Sequence, residues 1–338
     1  EDGIRDYKVT GVQTCALPIC LPCARAPPQP PYWVGYTKCR GVGYCAPQNI
    51  VLTLGVPIES LACGRVSAAV RVVSREVQSM GRIVKARGAS AAVRFSKANA
   101  KLKKLETTLG GRVYSFDILS GHTCPYARDC HSRAIETSEG VRIADGVETV
   151  FRCFSASQEV SFPTVYRARK TNMDAILPAA ADDPARAADM LLSALPSDAD
   201  IVRIHVAGDF KTRNYFRAWQ LVAAAEPKRL FYAYSKSLPF WVGSEEFAAD
   251  GVAENFRLTA SRGGHADRLI DAHGLREARV VFSEAEAEAL NLPIDPDDSH
   301  AATRGGSFAL LIHGAQPKGS EAGKAVRALK GVGSYGRA

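Results

Sequence analysis

The sequence predicts an α/β domain over residues 94–338: a parallel (β/α) barrel-like sheet of incomplete strand count, with a doubly wound open sheet as the alternative. Three observations carry this expectation. Short apolar runs alternate with helical patterns, which implies parallel strands joined by right-handed crossovers. The patterned stretch, about 245 residues, has the length of a (β/α)8 barrel. The strand-like runs also end in small or polar residues, as the ligand-binding edge of a parallel barrel does.

Each element has its own signal. YSFDI (114–118) alternates and reads as a strand ending before Ser120-Gly121. PTVYRARKTNMDAIL (163–177) opens with Pro163 and carries an apolar stripe of Val165, Tyr166, Met173, Ile176 and Leu177, which predicts a helix. DDPARAADMLLSAL (182–195) is a second helix with acidic residues and Pro at its start. IVRIHVAGDF (201–210) is a near-continuous apolar run, expected as a strand buried on both faces. TRNYFRAWQLVAAAEP follows as a helix with Tyr215, Trp219 and Val222 on one face. RLFYAYSK (229–236), FRLTASRGG (256–264), the start of ARVVFSEAEAEAL (278–290) and SFALLIHG (307–314) complete six or seven strands.

Residues 1–19, EDGIRDYKVTGVQTCALPI, show neither period nor a secretion signal. They resemble the translation of a short-read sequencing adapter and are expected to be an artefact. Residues 20–93 are rich in Pro, Gly and Cys, with Met80 the first methionine; they read as an out-of-frame, fragmentary or disordered lead. Cys20, Cys23, Cys39 and Cys45 only loosely suggest a four-thiolate zinc site, and they are read as incidental.

Composition narrows the function. A hydrophobic content of 46% suits a soluble globular chain, and no apolar run approaches the ~20 residues of a membrane span. The net charge is +8, but residues 1–93 hold 11 Lys+Arg against 5 Asp+Glu, which leaves 94–338 near neutral at +2. Charge therefore lends little support to a nucleic-acid partner. Three clustered thiols beyond residue 94 argue against a secreted disulfide scaffold and for a reducing cytoplasm.

Those thiols carry the densest chemistry: Cys124 and Cys130 in GHTCPYARDCHS, and Cys153 in FRCFSAS. Soft thiolates suit zinc or an iron–sulfur cluster. For zinc, His131 or His122 would complete a tetrahedral set. For a four-iron cluster, three thiolates would leave one iron free for a ligand. Inert buried thiols are the third reading.

Asp209 follows Gly208 at a strand end and can bind a ligand, act as an acid–base group, or cap the next helix. His205, deeper on that strand, reads as a core histidine. Lys236 closes an apolar strand and either faces an anion or snorkels. Ser261-Arg262-Gly263-Gly264 is a turn that can cradle an anionic group or serve as a plain loop. IDPDDSH (294–300) reads as a solvated loop and KGSEAGKAVRALKG as a solvated basic helix.

The series NAKLKKL, GHTCPYARDC, RCFSASQE, RIHVAGDF, YFRAW, FYAYSKSLPFW, TASRGG and ALLIHGAQPKGS resembles the phage gene product 88 family over roughly residues 95–338. A second resemblance is to radical-SAM-like barrels, through Cys153-Phe154-Ser155, Gly208-Asp209-Phe210, Ser235-Lys236 and Ser261; the spread of cysteines from 124 to 153 departs from the short cysteine loop common there. That resemblance implies a [4Fe–4S] cluster on Cys124, Cys130 and Cys153 and S-adenosylmethionine on its open iron. Gly208, Asp209, Lys236, Ser261, Gly263 and Gly264 would contact cofactor or substrate, with Asp209 and Lys236 as the catalytic pair. The resemblance leaves the substrate open, with a nucleobase or nucleic acid as a candidate. A zinc-dependent nucleotide- or nucleic-acid-modifying protein and a non-enzymatic nucleic-acid-binding phage factor are the competing expectations.

Overall fold

The computed structural model describes residues 93–329. The readings made for residues 1–92, including Cys20, Cys23, Cys39 and Cys45, fall outside the described residues.

Ten strands are described: β1 Ser96–Lys97, β2 Val113–Phe116, β3 Ser132–Thr137, β4 Gly140–Asp145, β5 Ile201–Ile204, β6 Leu230–Ser235, β7 Gly251–Ala253, β8 Phe256–Ser261, β9 Glu277–Val281 and β10 Phe308–Leu311. The helices among them are α1 Ala100–Leu109, α2 Phe154–Ser161, α3 Pro163–Asp182, α4 Pro184–Ala194, α5 Arg213–Ala225, α6 Leu238–Val242, α7 Arg268–His273, α8 Glu284–Ala289, α9 Ser299–Ala302 and α10 Glu321–Ala328.

The main sheet runs β1-β2-β5-β6-β8-β9-β10, with β7 paired to β8. From β2 to β10 every neighbouring pair on this path is parallel. Only the edge strand β1 and the short β7 run antiparallel. The parallel strands follow chain order without reversal, whereas a doubly wound sheet reverses at a switch point. Among the described residues β10 does not pair with β1 or β2, so the sheet is an open path. β3 and β4 form a separate antiparallel hairpin. Its sequence, SRAIET and GVRIAD, is too charged and too exposed to show a strand period, and the sequence reading passed over it.

Strand alternation sends Val202 and Ile204 to one face and Ile201 and Arg203 to the other. On the first face Val202, Ile204, Phe231, Phe256 and Leu258 pack against Trp219 and Val222 of α5, Ile176 of α3 and Leu191 of α4. Trp219 is fully buried, and a side chain of its size contributes about 4–6 kcal/mol of transfer free energy. On the second face Ile201, Tyr232, Ala278 and Phe308 meet Leu102 and Leu105 of α1 and Ala301 and Ala302 of α9. Both faces are thus covered, which explains the continuous apolar runs in the parallel strands.

The helices begin where local chemistry directs. Asn99, Asp183 and Thr212 each cap with a side chain that accepts from a first-turn amide. Helix α3 runs through Pro178 to Asp182, five residues beyond the apolar stripe that predicts it. The strand expected over 201–210 stops at Ile204 because His205 has φ 69° and Gly208 has φ 90°, both left-handed conformations that a strand cannot contain. Among the described residues no helix is long and apolar enough to cross a membrane.

Candidate functional site

Parallel pairing brings the carboxyl ends of β2, β5, β6, β8, β9 and β10 to one edge of the sheet. Asp117, Asp209, Lys236, Ser261 and His313 all lie at or just beyond those ends. This is the edge where ligands bind in parallel sheets.

Cys124 and Cys130 sit in the connection from β2 to β3, and Cys153 is the residue at the start of α2. All three are free and half-buried. Burial pushes the Cys124 thiol well above its usual range, and the charges of Asp209, Cys153 and Cys130 push it further. Cys153 is pushed up to about 11, by burial first and then by Cys130, while the amides of Ala156 and Ser155 pull it back. The three sulfurs therefore share one electrostatic neighbourhood, and ionising them together demands a compensating cation. The Gly121 amide already donates to Cys124 Sγ at 3.4 Å.

The cysteine loop is braced from several sides. Thr123 Oγ1 donates to the Leu119 carbonyl at 2.7 Å, and the Ser120 hydroxyl donates to Glu159 Oε1 at 3.0 Å. Glu159 is paired in turn with Arg169 at 3.0 Å. The Asp129 amide donates to the Gly263 carbonyl at 3.0 Å, and the His265 amide to the Tyr126 carbonyl at 2.9 Å. The Cys153 amide donates to Ser132 Oγ at 3.2 Å, one residue beyond His131.

His122 and His131 each commit a ring nitrogen to a backbone carbonyl: Nε2 to Ala134 O at 2.7 Å and Nε2 to Gly121 O at 3.2 Å. Among the described residues no three His, Cys, Asp or Glu side chains converge on a single metal ion. A tetrahedral zinc shell needs its donors ~2.0–2.3 Å from one point. A four-iron cluster has a different requirement, with each thiolate bound to its own iron around a larger body. Three free thiols are the donor type such a cluster takes.

Asp209 is buried, and its carboxylate is filled from within. Oδ1 accepts from Ser235 Oγ and the Phe210 amide, both at 2.7 Å, and Oδ2 accepts from the Lys236 amide at 2.8 Å. Burial raises its pKa against those hydrogen bonds. Lys236 Nζ donates to Ser261 Oγ at 2.7 Å and to the carbonyls of Ser261 and Arg262 at 3.0 Å each. The Gly263 and Gly264 amides donate to Asp267 at 2.9 Å each. A Cβ at Gly263 would lie 2.8 Å from Asp129 Oδ2, and one at Gly264 would lie 2.8 Å from the Tyr126 carbonyl. The close approach these glycines permit is to the cysteine loop. Gly208 likewise leaves room for Ile118 and Thr123, beneath the same loop.

His205 is a core residue: its Nε2 meets the Tyr215 hydroxyl at 2.9 Å and its ring meets Phe210 edge-on with centroids 4.9 Å apart. The acidic run 294–300, expected as a solvated loop, is buried at Asp295 and Asp298, both fully enclosed. Asp298 pairs with Lys101 at 2.6 Å and with Arg203, and it accepts from the hydroxyls of Tyr232 at 3.2 Å and Tyr234 at 3.1 Å. Burial works to raise its pKa, but Arg203 and Lys101 outweigh that and hold it at about 2. Sequence reasoning missed this hub; its one signal was Arg203, a charge within a buried strand.

Two cavities open near the edge. One of about 750 Å³ is lined by Arg94, Lys97, Ser115, Asp117 and Arg169, among others. The other, about 530 Å³, is lined by Lys101, Cys153, Phe154, Arg203 and His313, among others. Asn99, Gln158 and Val206 line both.

Fold and site together define an α/β protein with a mostly parallel sheet and three thiols gathered near the carboxyl edge of its strands. A family model described as gene product 88 matches residues 92–330, and the chain belongs to that family, as its phage-type motifs suggested. No curated protein matches the chain. No solved structure matches it either.

Proposed function

We propose that the protein is a phage-encoded enzyme in which Cys124, Cys130 and Cys153 hold a [4Fe–4S] cluster at the mouth of a partly closed (β/α) barrel. The observation that carries this reading is the meeting of three free thiols in one another's field near the carboxyl ends of the parallel strands. Partial closure draws support from the segment containing Cys153, which spans the strand ends. Ser155 Oγ donates to the Val206 carbonyl at 2.8 Å beside β5, while the Arg152 amide donates to Gln316 Oε1 at 2.7 Å beyond β10. Phe154 packs against His313 as a tilted ring pair with centroids 4.5 Å apart.

Cys124, Cys130 and Cys153 would hold the cluster, which with S-adenosylmethionine would supply radical hydrogen-abstraction chemistry. The chain's own residues do the holding. The Gly121 amide stabilises the Cys124 sulfur, and the amides of Ser155 and Ala156 favour the Cys153 thiolate. Asp209, Lys236, Ser261, Gly263 and Gly264 brace the wall on which the cysteine loop rests, and they act as positioning residues.

The test is metal analysis of the full chain purified without oxygen. About four iron and four sulfide per chain, a brown colour bleached by dithionite, and loss of both in Cys124→Ser are the expected results. A colourless protein with one zinc would replace this reading by zinc chemistry. A chain that takes up no metal after reconstitution would end it.

A further inference from the structure

Two adjoining cavities make up a trough. Asn99, Gln158 and Val206 line both, so the larger cavity beside β1 borders the one that reaches Cys153. Their volumes, about 750 and 530 Å³, together exceed the ~300–1,000 Å³ that encloses a small molecule. An extended ligand fits this space better than a compact one.

The lining is cationic: Arg94, Lys97, Lys101, Arg169 and Arg203 face it, against the single carboxylate of Asp117. Arg169 is offset by Glu159, and Lys101 and Arg203 share Asp298. Asp117 is engaged by the Val206 amide and the Ser115 hydroxyl. Arg94 and Lys97 are exposed, and neither side chain has an ion-pair partner among the described residues. The start of α1, capped by Asn99, adds the positive end of a helix at the junction of the two cavities. At the Cys153 end the character changes to aromatic, with Phe154 and His313. Burial lowers the His313 pKa to about 4, so its ring is neutral near pH 7.

We propose that this trough binds a single strand of nucleic acid, with phosphates on Arg94 and Lys97 and a base against Phe154 beside Cys153. A basic groove that leads to an aromatic platform is the physical signature of single-strand binding. The near-neutral domain argues against a broad polyanion surface, so the case rests on the trough's own cations. That the strand is a substrate rests on the metal-centre reading, whereas its binding does not.

The experiment is fluorescence anisotropy of the full-length protein with 12-nucleotide DNA and RNA strands over a salt series. Binding is expected for at least one strand and should weaken with salt. Arg94→Ala/Lys97→Ala should flatten the log–log salt slope by about 1.4, or ~0.7 for each lost phosphate contact. Phe154→Leu should weaken binding roughly ten-fold at unchanged slope. Cys124→Ser should lose metal and keep binding, so failure of the metal reading and failure of this one give different results. Absence of binding at low salt, or unchanged affinity in Arg94→Ala/Lys97→Ala, overturns the proposal. So does a mononucleotide that binds as tightly as the strand, or heparin bound equally well with Phe154→Leu without effect.

Discussion

Asp209 and Lys236 are joined through the backbone rather than as an ion pair: the Lys236 amide donates to Asp209 Oδ2, while Lys236 Nζ turns to Ser261 and Arg262. The two side chains thereby link the ends of β5, β6 and β8 in series. Lys236→Met is expected to lower both thermal stability and iron content, because it releases the Ser261–Gly264 turn that holds the cysteine loop. A Lys236 that acted on a cofactor alone would leave iron content unchanged.

Asp209→Ala strands three donors in a buried site: the Ser235 hydroxyl and the amides of Phe210 and Lys236. The expected loss is about 2–4 kcal/mol in urea unfolding with an unchanged m-value. A loss below about 0.5 kcal/mol would mean that water reaches these donors.

Gly208→Ala places a methyl 2.5 Å from Ile118 at a φ of 90° that alanine rarely adopts. Destabilisation of roughly 2–4 kcal/mol is expected. Because Thr123 lies 2.7 Å from the same added atom, the displacement should also reach Cys124 and lower metal retention.

Burial, with Arg203 nearby, lowers the His205 pKa from 6.5 to about 3. Its neutral form belongs to the folded state, so its contribution is intact above pH 6.5. The unfolded chain binds the proton first as pH falls, and stability declines between 6.5 and about 3, by up to about 1.4 kcal/mol per pH unit. Chemical unfolding from pH 8 to 4 should show this decline, and His205→Asn, which tolerates the left-handed backbone, should reduce it. An identical pH profile in the variant would refute the assignment.

For Asp298 the folded pKa of about 2 lies below the usual 3.8, so its stabilising contribution is present above pH 3.8 and is lost as pH falls through 2. At neutral pH, Asp298→Asn leaves Arg203 and Lys101 without their shared anion, and a cost of about 3–5 kcal/mol is expected in denaturant unfolding. A cost near zero would mean that water enters and neutralises the pair.

Legibility in the sequence followed the range of the interactions. Helix α5 and strands β5, β6 and β8 were readable because Tyr215, Trp219, Val202 and Phe231 pack in ways that leave a local period. The end of β5 was overrun because the apolar pattern continues through Val206 and Ala207 while the backbone turns at His205 and Gly208. The gathering of the strand-end residues along one edge followed from parallel order alone. Asp298 looked solvated because its partner Arg203 lies 95 residues away, and no local pattern records that charge pair. Gly263 and Gly264 read as an anion cradle or a plain loop, because only the fold shows the Tyr126–Asp129 segment packed against them.

The tether between Arg152 and Gln316, closed by hydrogen bonds in both directions, bears on how the protein is made. Cys124 and Cys130 leave the ribosome early, yet the segment that seats Cys153 leans on residues that follow the last strand. The trio therefore reaches its final arrangement only after β10 and Gln316 have been made. A product that stopped short of Gln316 would carry the same cysteines without the seat for Cys153.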